Sequence, residues 1–190
     1  MKITIIGGGA TGSNMLFLIR NLKAEFTLID MDRVERKNIM AQFHTMMSLG
    51  KNKALSLQQA LKGLFGLTIK GIPHKLKADN VEALLGGSDL VVDCTDNKEV
   101  RLVIQGFVKA KDIPCVHCSL SADGDFGRVV WTDLFNPEQE TPGVPTCEDG
   151  AFLPFFGFAA AVMALVVQKF VEHGVKESYQ IMPNQILRLA

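Results

Sequence analysis

MKITIIGGGATGSN, residues 1–14, decides the fold. Residues 3–6 are wholly apolar apart from one threonine, as in a strand covered on both faces. Gly7, Gly9 and Gly12 then follow the spacing G-x-G-x-x-G, and from Ser13 onward the pattern is helical. Strand, glycine turn and helix in succession are the context in which that spacing binds a nucleotide. Gly7 permits the tight turn, Gly9 lets the backbone approach a pyrophosphate, and Gly12 lets the helix pack closely on the strand. The helix start offers free N–H groups and a positive dipole end to an anion. A second apolar run, EFTLID, ends in Asp30. An acid about 20 residues beyond the glycines is the expected partner for ribose hydroxyls. The stretch predicts a nucleotide site; a glycine turn that serves only the fold is the alternative.

The 190 residues suffice for one domain with a sizeable core, residues 1–190 being read as a single unit. Hydrophobic residues make up 47% and charged residues 21%, which excludes a disordered chain. Twenty basic residues balance twenty acidic ones, so neither nucleic acid nor a membrane surface is an expected partner. The four cysteines, Cys94, Cys115, Cys118 and Cys147, do not have the spacing of a secreted disulfide scaffold. The sequence opens directly in a strand, which predicts no signal peptide and a cytoplasmic setting. Residues 151–167 carry no charge but contain Pro154 and Gly157. They are short for a membrane span and read as a buried helix or a subunit interface.

Apolar runs alternate with helical patterns along the chain. Strands are predicted at residues 3–6, 26–30, 68–72, 90–94, 116–120 and 128–131. Helices are predicted at 11–21, 52–61, 80–85, 98–111 and 152–173. This alternation implies crossover units and an α/β fold: a Rossmann-like, mostly parallel sheet with helices on both faces. Asp123-Gly124-Asp125 between the last two of these strands predicts a hairpin, hence antiparallel strands at one end. Residues 179–182 and 185–189, around Pro183-Asn184, predict a further C-terminal hairpin. Residues 133–149, with three prolines, form one long irregular stretch, the kind that is usually functional.

Further islands accompany the glycine turn. Asp30-Met31-Asp32 is followed by VERKNIMAQFH, then GKNKA, and later DCTDNKEVR. Together they resemble the ThiF/MoeB/HesA family, bacterial relatives of ubiquitin-activating enzymes. PTCEDGAFLPFFGFAAAVMAL resembles the cysteine-containing loop and long apolar helix of that family, so the likeness covers nearly the whole chain. The resemblance implies an adenylyltransferase that uses ATP and Mg2+. Its substrate would be the C-terminal carboxylate, after Gly-Gly, of a small ubiquitin-like or sulfur-carrier protein. It also implies a homodimer. By the same resemblance Gly7, Gly9 and Gly12 line the nucleotide, Asp30 takes the ribose and Asp32 completes the D-x-D. Asn38 and Gln42 stand near the phosphates, Lys53 reaches them, Asp96 holds the metal and Arg101 is the arginine after the Asp-Asn pair. Cys147 stands where some members carry a cysteine that receives the activated carrier. The chemistry is coherent: a carboxylate meets a phosphate, so the protein must neutralise charge and needs no general base.

The sequence also departs from the family pattern. Ala41 replaces the arginine of the N-x-x-R-Q block, and an arginine-bearing arm before the first strand is expected to be missing. Arg33, Arg36 and Lys37 are the nearest cations that could supply their charge. The zinc pairs of the family reduce here to Cys115 and Cys118, which strand alternation sets on opposite faces, so buried reduced thiols are expected. A helix N-terminus would activate Cys147, whereas Glu148 and Asp149 would oppose it. Asp96 could instead cap the following helix, and Lys53 could be a solvated lysine. His44, His74 and His173 read as surface residues. Two other function classes stay open: a non-catalytic nucleotide- or carrier-binding protein, and an NAD-dependent oxidoreductase. The latter leaves Lys53 and Asp96 without a role.

Overall fold

The computed structural model describes residues 1–121, 123–137 and 152–189. Eight strands form one sheet: β1 (Lys2–Ile6), β2 (Glu25–Ile29), β3 (Lys70–Ile72), β4 (Leu90–Asp93), β5 (Cys115–Leu120), β6 (Gly127–Trp131), β7 (Ser178–Met182) and β8 (Gln185–Leu189). Their order is β3-β2-β1-β4-β5-β6-β7-β8. The five strands from β3 to β5 are parallel, and β6, β7 and β8 continue antiparallel. The mixed sheet and both hairpins agree with the expectation from sequence.

Among the described residues five α-helices cover the sheet: α1 (Ala10–Leu18), α2 (Lys53–Phe65), α3 (Val81–Leu85), α4 (Lys98–Lys111) and α5 (Leu153–His173). Strand alternation divides them between two cores. Ile3, Ile5, Phe26, Leu28, Leu90 and Val92 face α1, α2 and α5. Ile6, Ile29 and Val91 face α3 and α4. Covering both faces is why these strands lack polar alternation, and each fully buried Leu or Ile contributes about 1.5–3 kcal/mol. Cys115 falls in one core and Cys118 in the other, on the opposite faces that alternation requires. Helix α5 is long and apolar enough, by length and composition, to cross a membrane, and half of its most apolar window is buried in the structure. Phe156, Ala159, Ala160 and Met163 are part of that buried face.

Local chemistry sets the helix limits. Asn52 and Asn97 cap α2 and α4, accepting from Leu55 N at 3.1 Å and Val100 N at 3.0 Å. Gly66 ends α2 in the left-handed region at φ 69, so α2 outruns its apolar pattern by four residues. Helix α1 ends at Leu18, earlier than predicted. Ile19 and Leu22 keep the apolar spacing but are buried from a turn that leads into β2. Predicted strand 68–72 shrinks to β3, where pairing with Thr27–Ile29 begins.

The long connection between β2 and α2 corrects one expectation. His44 is 7% exposed, not a surface residue. An antiparallel bridge between Arg33 and Asn52 closes the base of this connection. Its far end is tied to α1 and the glycine turn: Asn14 donates to Ala41 O at 2.9 Å, Phe43 N to Ser13 Oγ at 2.9 Å, and His44 Nε2 to Gly8 O at 3.1 Å. A carbonyl only accepts, so Nε2 carries the proton. Burial, aided by the charge of Lys53, lowers the His44 pKa from 6.5 to about 4. His74 and His173 are exposed, as expected.

Two outcomes follow. A Cβ on Gly12 would collide with Gly7 O, whereas one on Gly9 meets nothing within 4 Å among the described residues. In urea unfolding, Gly12→Ala should cost about 3 kcal/mol or more and Gly9→Ala about 1 kcal/mol or less. Unfolded His44 protonates near pH 6.5 and folded His44 near 4, so the unfolded state binds more protons between these values. Stability should be flat above pH 6.5 and fall as pH drops toward 4, by on the order of 3 kcal/mol from this residue. His44→Gln should lose that component, as read from the difference in unfolding free energy at pH 7 and pH 4.5.

Candidate active site

The strand order reverses between β1 and β4, and open α/β sheets bind ligands beyond the carboxyl ends of the strands at such a point. A cavity of about 810 Å³ opens there. Gly7 turns the chain at φ 93. A side chain at Gly7 would also strike Cys94 O, 2.8 Å from a Cβ. Gly9 caps α1 with no side chain over the helix start and no acid in the first turn, so the dipole end faces the cavity unmasked.

Asp30 lies just past β2 and organises the turn. Its two oxygens accept from Gly8 N at 2.6 Å and Asp32 N at 2.7 Å. Burial raises its pKa, and these two N–H groups and Lys53 oppose the rise. Asn52 donates to Asp30 O at 2.8 Å and Asp32 O at 3.1 Å, which places the first residue of α2 at the same edge. That residue is Lys53. It is 8% exposed, not solvated, with Nζ 3.5 Å from Asp32 Oδ2.

Asp96 reaches the cavity from the other side, on the loop after β4. Asn97 supplies the helix cap, which leaves the Asp96 carboxylate free of that role. The loop is clamped by Asp93, fully buried at the end of β4. Asp93 Oδ1 accepts from Thr95 N at 3.0 Å and Thr95 Oγ1 at 2.7 Å, and Oδ2 stands 2.8 Å from His117 Nδ1. Arg101 Nε lies 3.9 Å from Asp93, and its NH2 group donates to Thr95 O and, at 2.9 Å, to Cys118 O. Desolvation pushes the Asp93 pKa up, but His117 and Arg101 outweigh it and hold the carboxyl below its ordinary value. Arg101 therefore acts in the clamp, with its guanidinium committed to the loop and to β5.

Gly7, Gly9, Asp30, Asp32, Asn38, Gln42, Lys53 and Asp96 all line this one cavity. Gly12 does not; it packs beneath the turn. Lys37 lines it, whereas the Arg33 guanidinium donates to Gly50 O at 2.6 Å. Ala41 is buried with Ala10 and Phe156. Burial raises the thiol pKa of Cys115 well above the ordinary value, which suits an inert core cysteine; the thiol of Cys94, half-buried and lining the cavity, is raised in the same way. Cys147, with Glu148 and Asp149, lies outside the described residues. Sequence reasoning missed the Asp93–His117 clamp, the role of His44 and the Arg128 end of the cavity. The first had a signal, an acid at the end of one apolar strand and a histidine within the next; the pairing of Asp93 with His117 across β4 and β5 did not.

The ThiF family model matches residues 1–186. The adenylyltransferase and sulfurtransferase UBA4 of Candida albicans is 27% identical over 208 residues, covering 99% of this chain and 48% of the relative. The SAMP-activating enzyme E1 of Haloferax volcanii is 28% identical over 160 residues, covering 77% and 57%. The chain thus spans about half the length of these curated relatives. Among solved structures, E. coli MccB crystallised with AMPCPP and MccA superposes with a TM-score of 0.79 at 17% identity, covering 99% of this chain and 62% of that one. That likeness concerns the fold. The family match runs from β1 into β8 and spans both sides of the cavity, and on it the chain belongs to the ThiF family.

Proposed function

We propose that the chain is an ATP-dependent adenylyltransferase acting on the C-terminal carboxylate of a small ubiquitin-like or sulfur-carrier protein. The observation that carries this reading is the meeting of Lys53 and Asp96, from opposite sides of the sheet reversal, in the cavity of the glycine turn. The reaction joins two anions. A carboxylate oxygen attacks the α-phosphorus, the bond to the β-phosphate oxygen breaks, and pyrophosphate leaves with the electron pair. Backbone N–H groups at the α1 start and the Lys53 ammonium offset the charge that gathers on the phosphates. An exposed carboxylate oxygen at Asp96 suits Mg2+, which takes one or two carboxylates together with substrate phosphates. The metal would supply further charge neutralisation. The Asp93–Arg101 clamp keeps Asp96 in place, and the Gly8–Asp30 bond keeps the turn open toward the nucleotide.

A Gly-Gly terminus on the carrier, a homodimer and a cytoplasmic setting belong to the same proposal. So does a covalent role for Cys147. One observation favours a second reading, in which the chain binds nucleotide or carrier without catalysis. Position 41, where the family carries an arginine, holds a buried alanine packed on Ala10 at the helix start. Losing one such donor costs on the order of 10²–10³ in rate.

ATP–pyrophosphate exchange with a carrier ending in Gly-Gly separates the readings. Exchange is expected in the presence of Mg2+ and should vanish with EDTA. Lys53→Ala and Asp96→Ala should each lower it by about 10²–10³. Exchange that survives both substitutions would overturn the assigned roles, and ATP binding without exchange would favour the second reading.

A further inference from the structure

The cavity extends beyond the nucleotide residues to a second end, where Ser119, Phe126 and Arg128 line it. Strand register puts this end in place. Ser119 pairs with Arg128 across β5 and β6, so both side chains share a face. Their neighbours Cys118 and Val129 pack into the core of α1 and α5. Ser119 and Arg128 therefore stand on the opposite face. His117 pairs with Asp93, so Ser119 lies two residues further along β5, beside the loop that carries Asp96. Two strand spacings, about 10 Å, separate β4 from β6, and an arginine side chain spans much of that gap.

Three cations at the cavity are engaged: Lys37 with Glu35 at 3.6 Å, Lys53 with Asp32 at 3.5 Å, and Arg101 in the Asp93 clamp. Arg128 differs. Among the described residues it forms no ion pair, and its buried Nε has no hydrogen-bond acceptor. Its Cζ lies 5.8 Å from the Phe126 ring centroid. A buried N–H without an acceptor is unfavourable, and a ligand oxygen would relieve it. The planar guanidinium fork matches a carboxylate in two-point geometry.

We infer that Arg128 receives the terminal carboxylate of the acyl substrate and selects a free C-terminal acid over an amide. This rests on the acyl-adenylation reading and adds to it the residue that recognises the acid. Its place at the far end of the cavity lets the acid enter from the β6 side while the nucleotide occupies the glycine turn. Ser119, directly across the strand pair, offers a hydroxyl to the same group.

The test is equilibrium binding, without turnover. Two fluorescent peptides ending in Gly-Gly, one with a free carboxylate and one amidated, are titrated with protein saturated with α,β-methylene ATP, and anisotropy is read. Wild type should bind the acid at least tenfold tighter than the amide. Arg128→Gln should bind the acid at least tenfold more weakly, with amide and nucleotide affinities within twofold of wild type. Arg128→Lys should recover part of the preference. Equal binding of acid and amide to wild type, no saturable binding of the acid, or equal weakening of both peptides by Arg128→Gln would each overturn the assignment. Pyrophosphate exchange reports separately on adenylation. Exchange together with an unchanged acid preference in Arg128→Gln removes Arg128 from the site and leaves the reaction standing.

Discussion

Two stretches of bare backbone must touch where β1 gives way to α1. A Cβ on Gly12 would overlap Gly7 O, and one on Gly7 would overlap Cys94 O. The two contacts join α1, β1 and the loop after β4 at less than side-chain thickness. Nearly everything functional is placed relative to that junction. The helix start lies against the strand end, so its N–H groups open onto the sheet reversal. The β4 loop lies against the turn, so Asp96 and the glycines share one space. Gly9 belongs to the same motif for a different reason: among the described residues nothing lies within 4 Å of a Cβ built there, and Gly9 lines the cavity.

Buried polar groups then hold the backbone around this junction. Gly8 is gripped from both sides, its N–H by Asp30 and its carbonyl by His44. In a trans peptide the C=O and the next N–H point in opposite directions, so fixing Gly8 O also fixes Gly9 N–H. The β4 loop is held in the same manner by Asp93, His117 and Arg101. Both arrangements bury charge or hydrogen-bonding capacity at a cost, which the paired partners offset. Each leaves the residue that faces the cavity, Gly9 or Asp96, outside the clamp. The charges at the cavity are balanced differently along its length: Lys37, Lys53 and Arg101 have carboxylate partners, and at the other end the Arg128 guanidinium forms no ion pair among the described residues.

Much of this architecture was legible in the residues. Apolar runs without alternation announced strands covered on both faces, and their spacing with helical stretches announced a parallel sheet. The glycines and Asp30 could be named from local signals, a turn and a strand end, whereas Lys53 and Asp96, locally a solvated lysine and a helix cap, were named only through the resemblance of the motif islands. His44 could not. It lies in an irregular connection, and its burial comes from three hydrogen bonds to α1 and the glycine turn, all distant in sequence. Arg128 was equally silent, as one polar residue in a short strand whose orientation depends on which strand lies beside it. Helix α1 was overextended because Ile19 and Leu22 keep helical spacing while serving a turn.

By itself the sequence determined the kind of sheet, the position of the glycine turn and the chemical types gathered around it, since periodicity and glycine geometry act over a few residues. Only the tertiary structure decided which of those groups meet. Asp93 faces His117, Lys53 faces Asp32 and Arg128 faces Ser119 because strands and loops far apart in the chain are set at fixed register. That register is chosen by the joint packing of two cores, a sum over many contacts that no single stretch of the chain carries.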